Sequence, residues 1–244
     1  SNSVSNEIFV GGPKEYVYVS QKNGKNTNDG LKRSTPVKTL AKAIQIAKTK
    51  GNIVIMDGTF TESNLTVDYD LNIIGEDNVK FTGASSSSIF TVSANDFSIS
   101  NVVFDSLVFS TKATGIIRQS SGFTVIDNCV FNNNYVSGLT GTNLIEAKNI
   151  EVYSSNFTNH NKSKVYITLI KADEFLIDNC VFKNNVASYT SYYSSLISTT
   201  SAKSGVKGTV TDTIFESNTV RGGCIYFGAS TVPLTITNTK FIDL

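Results

Sequence analysis

Histidine and cysteine are scarce in this sequence, and their scarcity excludes several common site chemistries. His160 is the only histidine, so a zinc site built from several histidines is excluded. The three cysteines, Cys129, Cys180 and Cys224, are widely spaced and contain no C-x-x-C pair. This pattern predicts three small buried side chains, with no disulfide framework, no metal site and no cofactor.

Neither sign of charge is in excess, and no long hydrophobic run is present. Lys and Arg number 21 against 20 Asp and Glu, which gives a formal net charge of +1. A nucleic-acid partner requires a basic excess, so none is predicted. No apolar run reaches the roughly 18 residues of a membrane-spanning helix, so this segment is expected to make no membrane contact. The 40% apolar content suits one domain with its own core.

An internal repeat marked by phenylalanine organises the chain. Six phenylalanines each stand three residues after Asn, Ser or Asp, at intervals of 27, 26, 25, 33 and 26 residues: Phe104, Phe131, Phe157, Phe182, Phe215 and Phe241. A β-branched residue precedes each of them by five positions, as Ile99 precedes Phe104. Such alternation, leading into a bend and a second short strand, predicts rungs of about 25 residues with three strands and three bends.

Stacked rungs of this kind form a right-handed parallel β-helix, an all-β fold whose strands pair with their copies about 4.8 Å away. Inward positions then make columns, and asparagine at a bend adopts the left-handed conformation and bonds to its copy in the next rung. A leucine-rich horseshoe requires leucine at fixed offsets, which the repeat lacks. An antiparallel sandwich requires hairpin turns, and Asn-Gly or Asp-Gly pairs occur only near residues 23–30 and 57–58.

The repeat also places the cysteines. Cys129 and Cys180 each lie two residues before a column phenylalanine, and Ser155 takes that position in the rung between them. Two rungs separate these thiols by roughly 9.6 Å, which is too far for a disulfide. Free thiols are therefore predicted.

Residues 35–51 are predicted to form a capping helix that covers the first rung. Thr35 is a natural N-cap, Pro36 suits the first helical position, and Gly51 suits the end of the helix. Val37, Leu40, Ala41, Ile44 and Ala47 would share its apolar face.

These elements suggest a simple domain organisation. An N-terminal tail over residues 1–15 is expected to precede a single β-helix domain over residues 16–244. The last residues, Phe241-Ile242-Asp243-Leu244, carry no polar cap, so the rungs are expected to continue past residue 244 in a longer protein.

Motifs in the N-terminal segment resemble the opening of secreted pectate-lyase-like β-helix proteins. They are Tyr18-Val19-Ser20, Asn28-Asp29-Gly30, Thr35-Pro36, Lys38-Thr39-Leu40 and Asp57-Gly58-Thr59-Phe60. The asparagine-rich bends after Phe131 and Phe182 resemble those of adhesin-like surface proteins of methanogenic archaea. The resemblance implies an extracellular protein, secreted or attached to the cell surface, whose signal and anchor lie outside this segment. It also implies contact with carbohydrate or with another cell.

Lyases of this fold hold calcium on carboxylates of neighbouring rungs, with Arg or Lys as base. One outward ladder here reads Arg118, Glu146, Lys171 in three consecutive rungs, and a second sets Lys148 beside Asp173. Alternating signs favour salt pairing between rungs over an open calcium site.

Glycoside hydrolases of the fold use paired carboxylates. Asp127 and Asp178 each precede a bend and flank Tyr153, at a separation of roughly 9.6 Å that is near the upper limit for an inverting pair. Galacturonase-type sites carry a third carboxylate, a histidine and basic residues, which the repeat does not bring together here. A bend-forming role is favoured for both aspartates, and no catalytic residue is predicted.

Two loop features have ordinary interpretations. His160, within Asn159-His160-Asn161, is predicted to be a solvated loop side chain. The segment Asn26-Thr27-Asn28-Asp29-Gly30 lacks the spacing and the distant Glu of a calcium loop, so a turn is predicted.

Three tyrosines after Phe182 are the predicted ligand-binding residues: Tyr189, Tyr192 and Tyr193. Exposed tyrosine stacks on sugar rings at a low entropic cost. The first functional hypothesis is a monomeric, non-catalytic, adhesin-like module that serves as a stalk or binds carbohydrate or cell wall. The alternative is a polysaccharide lyase or inverting glycoside hydrolase acting on a pectin-like polysaccharide.

Overall fold

The chain folds as the parallel β-helix that the repeat predicts, with one short helix near its N-terminus. This computed structural model describes residues 14–110, 115–137, 141–162, 167–187, 194–199, 206–228 and 233–244. Of the tail predicted over residues 1–15, residues 1–13 therefore lie outside the described part. All strand pairs of the described residues are parallel, since each strand pairs with its copy in the next rung.

The described strands are, in chain order, β1 (Val17–Ser20), β2 (Asn52–Phe60), β3 (Leu65–Val67), β4 (Leu71–Ser85), β5 (Phe90–Val92), β6 (Asp96–Ser100), β7 (Val103–Phe109), β8 (Ile117–Gln119), β9 (Phe123–Asp127), β10 (Val130–Asn132), β11 (Tyr135–Val136), β12 (Thr142–Tyr153), β13 (Asn156–Thr158), β14 (Ile167–Asp178), β15 (Val181–Lys183), β16 (Val186–Ala187), β17 (Ile197–Thr199), β18 (Gly208–Thr211), β19 (Ile214–Glu216), β20 (Thr219–Val220), β21 (Ile225–Phe227), β22 (Leu234–Thr237) and β23 (Lys240–Ile242).

Three inward columns define three faces, named here the first, second and third sheets. The first-sheet column is Val17, Ile53, Ile73, Ile99, Ile126, Val152, Ile177, Val210 and Ile236. The second-sheet column is Phe60, Phe81, Phe104, Phe131, Phe157, Phe182, Phe215 and Phe241. The third-sheet column is Leu65, Phe90, Ile117, Ile145, Ile170, Ile197 and Ile225. Nearly all of these side chains are buried, and together they form the core.

The phenylalanine column is a continuous aromatic stack. The ring centroids of Phe131 and Phe157 lie 4.6 Å apart with 5° between the planes, and those of Phe157 and Phe182 lie 4.7 Å apart with 3°. The parallel register enforces this geometry because equivalent residues in successive rungs share one rotamer and one strand spacing. Each internal ring is therefore packed on both faces.

The bends occupy the left-handed conformation that the sequence predicts. Residues at the first bend have φ between 46° and 58°: Asn101, Asn128, Ser154, Asn179, Asp212 and Asn238. A second set lies two positions after the six column phenylalanines from Phe104 onward, with φ between 50° and 62°: Ser106, Asn133, Asn159, Asn184, Ser217 and Asp243. The short polar side chains tolerate this conformation and bond to their copies, as the Asn128 amide donates to Asn101 Oδ1 at 2.8 Å.

The predicted capping helix begins later than expected. Helix α1 spans Leu40–Ile46 with Thr39 as N-cap, and a 3-10 turn over Ala47–Thr49 extends it. The assignment of Thr35 as N-cap is wrong because Val37 is extended and bridges to β1 (its N–H donates to Tyr18 O and its carbonyl accepts from Ser20 N). Gly51, with φ of 70°, ends the helical segment as predicted.

Side chains distant in sequence complete the start of the helix. The Glu62 carboxylate accepts hydrogen bonds from the N–H groups of Leu40 and Ala41, both at 2.9 Å. Asn26 Oδ1 accepts from Lys38 N and Thr39 N. A carboxylate at this end satisfies free donors and complements the helix dipole. The helix is thus fixed over the first rungs by contacts that its local sequence does not reveal.

Candidate functional site

The outer face of the first sheet carries acidic and aromatic side chains on neighbouring strands. Inward residues of β9, β12 and β14 alternate with outward ones, so each strand presents every second side chain to solvent. Three outward ladders result: Ser100–Asp127–Tyr153–Asp178–Thr211, Ser98–Val125–Glu151–Leu176–Thr209 and Asp96–Phe123–Asn149–Glu174–Lys207. Lys207 is placed opposite Glu174 because the next residues, Gly208 and Phe175, pair with each other.

Tyr153 lies at the centre of this face. The predicted register is confirmed, since Tyr153 pairs with Asp127 on one side and with Asp178 on the other. Its hydroxyl donates a hydrogen bond to Glu151 Oε2 at 2.7 Å. Burial, that hydrogen bond and the negative charges of Glu151, Asp178 and Asp127 raise the pKa of Tyr153. Three carboxylates therefore surround one neutral phenol.

Asp178 has a further partner on the next rung. Thr211 Oγ1 donates to Asp178 Oδ1 at 2.6 Å. The phenol ring of Tyr153 stands on the strand between the two aspartates, and its hydroxyl bonds to Glu151. An inverting hydrolase needs space for a water and a sugar between its two carboxylates. In this protein, the Tyr153 side chain stands between the two carboxylates of Asp127 and Asp178.

A pocket of about 220 Å³ opens on the same face, beside Tyr153. Its walls include Phe123, Glu151, Glu174, Leu176, Lys207 and Thr209. Phe123 and Leu176 are outward residues that are only partly exposed, so they give the pocket apolar surfaces. Carboxylate, hydroxyl and ammonium groups stand around them. An apolar wall with a few convergent polar groups is the usual composition of a small-ligand site.

Sequence reasoning missed this pocket because it followed the bend residues. Asp127 and Asp178 precede bends and stand out in the repeat, whereas Phe123 and Glu174 lie at the opposite end of the same strands. A signal was present nonetheless. Phe123 and Leu176 are large apolar residues at outward positions, where Ser98 and Thr209 are typical of this chain.

The tyrosines predicted to bind ligand, Tyr189, Tyr192 and Tyr193, lie outside the described residues. In the sequence they follow β16 and precede β17. The pocket lies on the first sheet.

The outward ladder of the third sheet has the register that its alternating signs predict. Glu146 pairs with Arg118 on one neighbouring strand and with Lys171 on the other. Arg118 Nη1 lies 3.2 Å from Glu146 Oε2, and burial lowers the pKa of Arg118. In the second ladder, the flanking register places Lys148 opposite Asp173. These charges compensate one another.

His160 is not a solvated loop residue, and that prediction is wrong. Its side chain is buried, 1% exposed, at the third position after Phe157, where other rungs carry Asn134, Asn185 and Asn218. Nδ1 lies 2.8 Å from Asn185 Oδ1, and Nε2 lies 3.2 Å from Asn134 Nδ2. Burial lowers the pKa of His160 to about 4, although the bond to Asn185 opposes that shift. The imidazole is therefore a neutral member of an internal polar ladder, unavailable to a substrate.

The segment Asn26–Gly30 is a turn, as predicted. Asp29 Oδ1 accepts hydrogen bonds from Leu31 N and from the Thr35 hydroxyl, so its carboxylate serves the local backbone. Gly30 has φ of 71°. Across the described ranges, no three His, Cys, Asp or Glu side chains converge to hold a metal ion.

The cysteines are free thiols, as predicted. All three are buried. Burial raises the pKa of Cys129 and of Cys180 to about 12 and that of Cys224 to about 11. Thiols in this state are protonated at neutral pH and are poor nucleophiles.

Comparison with known proteins supports the fold. A family model described as a protein of unknown function, DUF1565, matches residues 22–94, less than half of the chain. No curated protein matches the chain by sequence. The pectin methylesterase from Aspergillus niger is structurally similar in its deglycosylated form (15% identity, TM-score 0.53) and in its penultimately deglycosylated form (13%, 0.51). Each alignment covers 95% of this chain and 87% of that one. At such identities the likeness extends to the β-helix fold alone.

Within the described residues, no helix is both long and apolar enough to cross a lipid bilayer.

Proposed function

We propose that this chain is a non-catalytic, adhesin-like module of an extracellular or cell-surface protein, and that it binds carbohydrate on the outer face of its first sheet. The observation that carries the proposal is the pocket beside Tyr153, in which Phe123 and Leu176 provide apolar walls and Glu151 provides a hydrogen-bond acceptor. A pyranose ring has an apolar C–H face and equatorial hydroxyl groups. The apolar walls of the pocket suit the C–H face, and its polar groups suit the hydroxyls.

The scaffold supports this proposal. Strand-borne side chains in a parallel stack are held by ladder hydrogen bonds and by the packed columns beneath them. Glu151 is further fixed by Tyr153. A binding site on such a surface loses little entropy when a ligand docks, because its side chains are already ordered.

Direct binding measurements test the proposal. Purified protein is screened on a glycan array, and Kd values for the hits are measured by calorimetry for the parent and for a Phe123→Ser, Leu176→Ser double variant. We expect binding to weaken at least about tenfold in the double variant, because both apolar walls are lost. Val181→Ser is the matched control, since Val181 is an outward, partly exposed residue on the second sheet. Equal affinity of parent and double variant would contradict the proposed pocket.

A separate variant tests the prediction that the three tyrosines bind ligand. Tyr189, Tyr192 and Tyr193 are changed together to serine, and the same glycans are measured. A loss confined to this variant would place the carbohydrate contact at these tyrosines rather than in the pocket.

The alternative is an enzyme that cleaves a pectin-like polysaccharide, as a lyase or an inverting hydrolase. The observation in its favour is the set of carboxylates around Tyr153, with Asp127 and Asp178 two rungs apart on one face. A general acid and a general base each lose their titrating group on conversion to Asn. Cleavage of polygalacturonate or pectin by the parent, absent in the Asp127→Asn, Asp178→Asn variant, would establish the enzyme. We expect no cleavage by the parent.

A further inference from the structure

The outer face of the first sheet differs from the other two faces in its charge balance. Five carboxylates lie on its described part against one ammonium group: Asp96, Asp127, Glu151, Glu174 and Asp178 against Lys207. Within the described part of the chain, none of these five carboxylates forms an ion pair. Beside this face, the flanking register places Lys148 opposite Asp173 on the next strand.

The two other faces carry ion pairs. On the second sheet, Lys183 Nζ lies 3.1 Å from Glu216 Oε2, and Lys80 lies 3.9 Å from Asp105. On the third sheet, Arg118 pairs with Glu146. The chain as a whole is nearly neutral. The negative potential on the first sheet is therefore a local property of the face that carries the pocket.

We propose that the carbohydrate bound in this pocket carries free amino groups, as in a polymer of N-deacetylated amino sugars. This inference rests on the proposed function. Glu151 and Glu174 both line the pocket, together with Lys207, so a sugar seated against Phe123 shares the pocket with two carboxylates and one ammonium group. An ammonium group on that sugar forms charge-assisted hydrogen bonds that a hydroxyl or an acetamide does not. A polyuronate would meet like charges on the same face and is repelled.

Tyr153 fixes the position of one of these carboxylates, that of Glu151. Its hydroxyl occupies Glu151 Oε2, which fixes the carboxylate and leaves Oε1 for the ligand. Asp127 and Asp178 flank Tyr153 and extend the negative field along the strand-stacking direction. Consecutive rungs lie about 4.8 Å apart, close to the length of one pyranose unit, so a glycan chain aligned with the stack would pass over several of these charges.

Matched oligosaccharides test the proposal. The probes are the hexamer of glucosamine, the hexamer of N-acetylglucosamine and a hexamer of galacturonic acid, measured by calorimetry at slightly acidic pH and low salt. We expect the glucosamine hexamer to bind at least about tenfold more tightly than the N-acetylated hexamer, and the galacturonate hexamer not to bind. The preference should shrink in about 0.5 M salt, where the Debye length falls below the rung spacing.

Two variants assign the preference to named residues. Glu151→Gln with Glu174→Gln should abolish the preference for the glucosamine hexamer and leave the N-acetylated hexamer unchanged. Glu216→Gln, on the second sheet, is the control and should change neither.

The outcomes separate the two proposals. If both neutral and amino hexamers bind equally and Phe123→Ser, Leu176→Ser removes both, the pocket stands and the charge selection is overturned. A preference for the galacturonate hexamer also overturns it. If a preference for the glucosamine hexamer survives the double glutamine variant, the assigned residues are wrong. If no glycan binds the parent, the proposed function itself is overturned.

Discussion

Asparagine has two roles in this chain, which differ in the direction of its side chain. At the bends, residues such as Asn101 and Asn128 are exposed, adopt positive φ and bond to each other across rungs. Three residues after the column phenylalanines, Asn134, Asn185 and Asn218 are buried. Their amide groups donate to backbone carbonyls of the preceding rung, as Asn185 Nδ2 donates to Phe157 O. The inner ladder satisfies carbonyl groups at a bend that water cannot reach.

His160 makes the stability of the protein depend on pH. Its folded-state pKa is about 4, below the ordinary value of 6.5, so the unfolded chain binds more protons between these values. Stability is therefore full above about pH 6.5 and falls as pH drops toward 4, by an amount on the order of 3 kcal/mol if the shift is fully expressed. Urea unfolding of the parent measured from pH 7 to 5 should show a loss of about 2 kcal/mol, the part of the effect that falls in this window.

The His160→Asn variant is the matched test, because asparagine occupies the same place in other rungs. It should fold, and its stability should vary less between pH 7 and 5 than that of the parent. As His160 is the only histidine, no other imidazole contributes in this window. An identical pH dependence in both proteins would contradict a neutral, buried His160.

Burial of His160 was predictable in part. The third residue after Phe131, Phe182 and Phe215 is asparagine, which marks a shared position, and His160 stands at that position after Phe157. What the repeat could not indicate is the direction of that side chain. Burial of bend residues changes over single positions, as from the partly exposed Asn159 to the buried His160, and only the three-dimensional course of the bend decides it.

At the scale of the elements, the phenylalanine column should be most sensitive at its middle. Phe157 is fully buried and stacked on Phe131 and Phe182. Phe157→Ala should destabilise the protein by roughly 3–5 kcal/mol, since neighbouring rungs cannot collapse into the cavity. Thermal and urea unfolding measure the loss. Phe241→Ala is the control: Phe241 is 43% exposed and stacks on Phe215, so its loss should be clearly smaller. Equal losses would contradict the column.

The helix shows where local sequence is insufficient. Thr35-Pro36 is a good start signal in isolation, yet Val37 instead joins β1 and the helix begins at Leu40. The energies that decide this are non-local, because Tyr18, Ser20 and Glu62 bond to the segment from distant positions. The strands were easier to predict, since repeated copies of one pattern reveal their shared inward positions.

For the whole molecule, the repeat also predicts which residues stand opposite one another on the outer face of the first sheet. The opposition of Asp127, Tyr153 and Asp178 follows from equal spacing before the bend and was predicted. The pocket was not predicted because it depends on side-chain size at the opposite strand ends and on Lys207, which follows an insertion in a rung 33 residues long. A rung of unusual length shifts the spacing between equivalent residues, so rungs cannot be aligned there by counting positions in the sequence.

The rungs should unfold in order from one end of the stack. The three cysteines lie in different rungs, so the reactivity of each thiol reports the unfolding of its own rung. Each rung of a solenoid contacts only its neighbours, so the least covered rungs open first. Leu234, Ile236 and Phe241 are exposed, and Cys224 lies closest to them in the stack. In rising urea, single-cysteine variants should react with a thiol reagent in the order Cys224, Cys180, Cys129, and without urea all three should react slowly because they are buried. Labelling of all three at one urea concentration would instead show that this β-helix unfolds as a single cooperative unit.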